Sequence, residues 1–213
     1  MKQLWKDHPA LVIIFVVLVI GVVIGLVLLV VHFIRRKEIE NKTENLPLVH
    51  LDKVSTDKKN FDNKVRDYAA QLGTNPNYLM ETMNQESGMN PAAVNPVSGA
   101  SGLIGFLPDT AIHLGTTVEQ LRVMPATKQL DYVYQYFKPY AGKMPKFEDV
   151  RMADVYPAAL GEKKTFQLPG WITQFNPQFD LNKNGRISVG ELKNYFSSKA
   201  KANVPKEYQT LFN

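Results

Sequence analysis

The 213-residue chain contains no cysteine, which excludes disulfides, a thiol nucleophile and thiolate metal sites. It has four histidines, His8, His32, His50 and His113. None pairs with another at i, i+4 or at metal-ligand spacing, so a histidine-built metal centre and a Ser-His-Asp hydrolase both lack motif support. No block of one charge sign stands out. The net charge of +5 comes from 25 basic and 20 acidic residues, and their interleaving argues against a nucleic-acid-binding stripe. A modest positive excess suits contact with an anionic wall or plain solvation. There is no internal repeat.

One stretch lacks polarity altogether. From Leu11 to Val31 there are 21 residues without a charge or a side-chain hydrogen-bonding group. At about 1.5 Å per residue this run spans a hydrocarbon core of about 30 Å. It is longer than a signal-peptide core and runs into His32-Phe33-Ile34-Arg35-Arg36-Lys37 with no small-residue cleavage site. It therefore reads as an uncleaved single-pass anchor in a lipid bilayer. Gly21 and Gly25 form a GxxxG pair, a candidate contact for a homo-oligomer through the membrane helix. Arg35, Arg36 and Lys37 outweigh Lys2, Lys6 and the amino terminus offset by Asp7, which tilts the large C-terminal part toward the cytoplasm.

The chain divides into a tail at 1–9, the anchor at 10–34, a charged tether at 35–58, a folded domain at 59–175 and a C-terminal segment at 176–213. The size fits one anchor plus one domain. Phe61, Val65, Ala69 and Leu72 recur at i, i+4, i+8 and i+11, and Gly73 stops that helix. Asn75 is a good N-cap with Pro76 at the first helical position, predicting a second helix from Pro76 to Ser87. Further helices are predicted from Pro108 to His113 and across Gln129–Tyr136. Residues 161–178, with Trp171 and several prolines, read as irregular. The fold class expected is mainly α (α+β lysozyme-like), a soluble domain with any sheet small, behind one N-terminal transmembrane helix.

The densest chemistry lies between Gln85 and Ala111. Leu79, Met83 and Glu86 fall on one helix face, which is otherwise apolar and expected to point inward. A desolvated carboxyl in such a place suits a general acid. The loop from Ser98 to Gly105 is rich in Gly and Ser, so a sugar ring can approach its backbone.

The run Glu86-Ser87-Gly88, Asn90-Pro91-Ala92-Ala93-Val94-Asn95, Ser98-Gly99-Ala100-Ser101-Gly102-Leu103-Ile104-Gly105-Phe106 and Pro108-Asp109-Thr110-Ala111 resembles the lytic transglycosylases with a goose-type lysozyme-like domain. The phage-encoded branch is the closer match. Weaker similarity continues through Gln129-Leu130-Asp131-Tyr132-Val133 and Tyr156-Pro157-Ala158-Ala159. The resemblance implies that Glu86 is the catalytic acid and base, acting on peptidoglycan between N-acetylmuramic acid and N-acetylglucosamine. It implies substrate contacts around Ser87, Ser101, Ile104, Gly105, Phe106 and Tyr156. Gly105 stands where many members have Gln, and the Ala-Tyr-Asn-Ala-Gly motif is absent, with Tyr156 its nearest counterpart. Ordinary glycosidases use two carboxylates. Here Asp109 and Glu119 are the candidate partners, with capping the simpler role for Asp109. Lysozyme-type hydrolysis is the alternative chemistry. An inactive membrane-anchored virion or wall-binding protein is the alternative class. A membrane-containing bacteriophage would reconcile a cytoplasm-facing domain with a wall substrate, in contact with viral capsid or membrane proteins. A bacterial inner-membrane enzyme acting in the periplasm is the cellular alternative.

The third feature is Asp180-Leu181-Asn182-Lys183-Asn184-Gly185-Arg186-Ile187-Ser188-Val189-Gly190-Glu191, which is similar to the twelve-residue loops of EF-hands and dockerins. It places oxygen ligands at Asp180, Asn182, Asn184, Ser188 and Glu191, the Arg186 carbonyl at position 7, and Gly185 at the sharp turn. The cofactor expected is structural Ca2+, with none needed for catalysis. Two acidic ligands suit millimolar calcium. The exiting helix, Leu192 to Phe196, is clear, whereas Pro177 interrupts the entering one.

Overall fold

The computed structural model describes residues 9–44, 47–55 and 57–212, without the side chains of residues 9–14, 32, 33 and 35–44. The chain divides after Leu46 into two units. The first contains α1 (Pro9–Glu44), a 36-residue helix. Its apolar side chains from Phe15 to Val31 are exposed. Among the described residues no helix is long and apolar enough to cross a membrane. The first side chains of the expected anchor, residues 11–14, lie outside those residues, as do the flanking charges Lys2, Lys6, Asp7 and Arg35–Lys37.

The second unit is mostly helical, with α2 (Lys58–Leu72), α3 (Pro76–Ser87), α4 (Pro108–His113), α5 (Val118–Val123), α6 (Ala126–Phe137), α7 (Phe147–Val155), α8 (Gly170–Phe175) and α9 (Val189–Asn203). Its β structure among the described residues is three isolated bridges, Val94 with Ser101, Ser101 with Phe106 and Gln167 with Ser188. The α2 stripe of Phe61, Val65, Ala69 and Leu72 is buried, and Gly73 ends the helix in the left-handed conformation at φ 68°. Asn75 caps α3 by accepting from the Asn77 amide.

Helix α3 is central: every residue from Asn77 to Met83 is buried. Helix α2 packs against α3 and α6, α7 against α3, and α9 against α7. An aromatic cluster of Tyr78, Phe147 and Phe212 closes the chain end back onto α3, with Phe147 and Phe212 centroids 5.0 Å apart. The Tyr78 hydroxyl donates to the Leu211 carbonyl at 2.8 Å. Residues 161–178 are less irregular than proline content suggests, since α8 forms within them.

Residues 47–55 belong to this unit rather than to a tether. Leu48, Val49 and Val54 are buried. His50 Nε2 meets Glu81 Oε2 at 2.6 Å. Glu81, fully buried, also accepts from Asn84 at 3.2 Å, Gln85 at 2.7 Å and Asn203 of α9 at 2.8 Å. A buried carboxylate is tolerable only with such a shell of donors. Glu81 therefore joins the entry segment, α3 and α9 in one polar knot. Replacing Glu81 with Ala should cost about 3–5 kcal/mol in urea unfolding, because His50 and Asn203 lose their shared buried partner.

Candidate active site

Beyond Met83, α3 emerges from the core, and Gly88 ends it at φ 63°. Glu86 sits on that emerging turn with its side chain 29 % exposed. This corrects the inward-facing placement expected from the Leu79, Met83, Glu86 spacing: the first two are buried and the third reaches the surface of a cleft. There its Oε1 pairs with Arg151 of α7 at 2.7 Å, and the guanidinium is almost wholly buried. The other end of Arg151 pairs with Asp154, one helical turn on. The Arg151 guanidinium also lies over the Phe196 ring of α9, 5.1 Å from its centroid. Neither Asp109 nor Glu119 joins this group. Both are exposed at helix starts, and hydrogen bonds from its own backbone and Thr117 hold the Glu119 carboxyl below its usual range.

Burial pushes the Asp154 carboxyl up to about 7, with the Glu86 charge adding to the effect and Arg151 opposing it. Tyr136 of α6 donates to the Asp154 backbone carbonyl at 3.1 Å. Burial, then the charge on Asp154, raises its phenol well above the usual range, so it stays neutral. The Glu86 charge adds a smaller contribution in the same direction. Tyr156, the expected site tyrosine, packs edge-on against Trp171 at 6.1 Å.

A cavity of about 330 Å³ opens beside Glu86, lined by Ala93, Val94, Asn95, Pro96, Ala100, Gly102 and Gly105. The loop that shapes it is tied down from within. The Leu103 amide donates to Gln129 Oε1 at 2.9 Å, and its carbonyl accepts from the Ser87 hydroxyl at 2.9 Å. Gln129, fully buried on α6, donates onward to the carbonyls of Pro91 at 2.7 Å and Leu121 at 2.6 Å. The Ser101 hydroxyl donates to Gly99 and accepts from Arg122. Ile104 and Phe106 are buried, Phe106 against Tyr136. Of the expected substrate contacts, Ser87 and Ser101 are hydrogen-bonded within the loop and Ile104 and Phe106 are buried beneath it. Gly105 lines the cavity, and a Cβ there would lie 3.6 Å from Glu86 Oε2. One oxygen of Glu86 is clamped by Arg151, and the other faces position 105.

Residues 63–140 match the family described as Transglycosylase SLT domain. That family comprises lytic transglycosylases acting on peptidoglycan, so the chain carries an enzyme domain with a peptidoglycan substrate. The helical architecture agrees with a lysozyme-like domain. No curated protein and no solved structure matches the chain. The matched segment contains Glu86, the glycine loop and Tyr136, and it stops short of Arg151 and Asp154.

In the C-terminal segment, the Asp180 carboxylate accepts from the amides of Asn184 at 3.1 Å and Gly185 at 2.8 Å. Asn182 and Asn184 cap the amides of Asn184 and Arg186. Glu191 reaches back to the Asn182 amide at 3.3 Å and forms a capping box with Ser188. The Ser188 amide holds the Glu191 carboxyl below its usual range. Ile187 is buried and its carbonyl accepts from the Leu168 amide at 2.8 Å. No group of three or more His, Cys, Asp or Glu residues gathers for a metal among the described residues.

Two loop glycines make separable predictions. Both have positive φ, 85° at Gly102 and 62° at Gly105. A Cβ on Gly102 would meet Gln129 Oε1 at 2.7 Å, whereas at Gly105 it makes ordinary contacts. Gly102→Ala should cost about 3 kcal/mol and Gly105→Ala about 1–2 kcal/mol in denaturant unfolding.

Proposed function

We propose that the protein is a membrane-anchored lytic transglycosylase that cuts the bond between N-acetylmuramic acid and N-acetylglucosamine and leaves 1,6-anhydromuramoyl ends. The observation that carries this reading is Glu86 on the rim of a glycine-lined cavity, one oxygen held by Arg151 and the other toward Gly105. Protonated Glu86 gives its proton to the glycosidic oxygen as the C1–O bond breaks. The resulting carboxylate takes the proton from the muramoyl 6-hydroxyl, whose oxygen closes on C1. The proton count on Glu86 is restored and no water is consumed. Arg151 stabilises the carboxylate formed between the two steps.

The polarity-free run from Leu11 to Val31 supports an anchor in a bilayer. Its flanking charges and the phage-like motif support local wall penetration by a membrane-containing bacteriophage, the domain being stored on the inner side until infection. For the loop at 180–191, a structural Ca2+ would be held by Asp180, Asn182, Asn184, the Arg186 carbonyl, Ser188 and Glu191. The acid oxygens at both ends of the loop already turn to its own amides, which suits that ligand set. Bound calcium would fix the start of α9.

Glu86→Gln should lower the release of anhydromuramoyl products from purified peptidoglycan by at least about a hundredfold. Its melting temperature should stay near that of the wild type, since Asp154 still supplies Arg151 with a buried counter-charge. Reducing muramoyl ends would point instead to lysozyme-type hydrolysis, and intact glycan to a binding or virion structural role. Millimolar calcium should raise the melting temperature by about 2–4 °C. Asp180→Asn combined with Glu191→Gln should remove that rise, as followed by scanning calorimetry with and without chelator.

A further inference from the structure

We propose that Asp154 is a positioning residue that competes with Glu86 for the single Arg151 guanidinium, and so decides where the catalytic proton rests. The proposal builds on the reading of Glu86 as acid and base. Asp154 lies on the far side of Arg151, its side chain 8 % exposed against 29 % for Glu86.

The charges facing this group come from several elements. Glu86 comes from α3, Arg151 and Asp154 from α7, and the neutral Tyr136 from α6. Tyr140, in the turn Lys138–Tyr140, acts on Tyr136. Lys193 of α9 is engaged by Asp149 at 2.7 Å, and Phe196 of α9 offers Arg151 a ring face. With both carboxyls ionised, two negative charges face one positive charge, most of it shielded from water. Uptake of one proton restores neutrality, and in so tightly coupled a group that proton belongs to the pair. The raised position of the Asp154 carboxyl agrees with this.

Two arrangements then alternate. When Arg151 is matched by Asp154, Glu86 carries the proton and can donate it. Once Glu86 has donated, it is the carboxylate that Arg151 faces at 2.7 Å. The same cation thus serves the buried acid before proton transfer and the exposed acid after it, and the proton later taken from the 6-hydroxyl resets the pair.

The test uses the full-length chain in mild detergent on purified peptidoglycan, with kcat and KM measured across pH. Asp154→Asn should leave KM within about twofold. It should lower kcat by about tenfold or more at pH 7.5 but by about threefold or less at pH 5. The sign follows from the lost competitor: Arg151 then faces Glu86 alone and favours its carboxylate, so the alkaline limb moves to lower pH. Asp154→Glu should restore the wild-type shape. A curve lowered equally at every pH, or a change in KM alone, would overturn the proposal and leave Asp154 a packing residue. Carboxyl 13C NMR of the wild type decides independently of activity. The Glu86 and Asp154 signals should shift together as one coupled pair, and unrelated transitions would overturn the coupling. A wild type no more active than Glu86→Gln counts against the transglycosylase reading, while the NMR result still judges the shared proton.

Discussion

A buried cation must find its counter-charges within reach, and Arg151 does so by holding two elements together. Its guanidinium joins α3 through Glu86 and its own helix through Asp154, and rests on α9 through Phe196. A charge that loses water needs compensation from several sides at once. That requirement fixes how α7 crosses the end of α3. Lys193 with Asp149 repeats the bond between α7 and α9 a short distance away. Asn203 on Glu81 ties α9 to α3. The site therefore inherits its geometry from helices whose apolar faces alone would leave their rotation less specified.

The loop opposite Glu86 is governed by a different constraint. A backbone that a sugar can approach must lack bulky side chains on its open face, and a loop without side chains has little to pack with. The solution lies behind it. Gln129 accepts from the Leu103 amide and Ser87 donates to the Leu103 carbonyl, while Leu103, Ile104 and Phe106 bury their side chains on the inner side. Polar atoms on the inside hold the loop, Gly102 makes room for Gln129 behind it, and Gly105 leaves the cavity open in front of Glu86.

Much of this was legible in the sequence where local rules act alone. The cap at Asn75, the stop at Gly73 and the buried stripe of α2 follow from spacing and backbone preference. Glu86 was legible through its motif. Its burial was not, because helical periodicity says which residues share a face but not where the helix leaves the core. Arg151 and Asp154 gave no motif, and an i, i+3 ion pair on a helix ordinarily reads as a solvated surface pair. A hint was present in Val150-Arg151-Met152-Ala153, where one charge interrupts an apolar run. The hydroxyls of Ser87 and Ser101, expected among the substrate contacts, donate to the Leu103 and Gly99 carbonyls, a pairing that residue type and motif do not announce.

The division between the matched family segment and the rest of the chain bears on how the acid works. Residues 63–140 contain Glu86 and the loop, yet the cation that Glu86 faces lies at 151, and the ring beneath that cation at 196. The electrostatics of the acid are thus set by sequence downstream of the recognised domain. Helix α9 begins at the loop that resembles a calcium site and passes under Arg151 about two turns later. The start of α9 and the ring beneath Arg151 thus belong to one continuous helix. The C-terminal segment thus supplies the ring face on which Arg151 rests, while none of its residues lines the cavity beside Glu86.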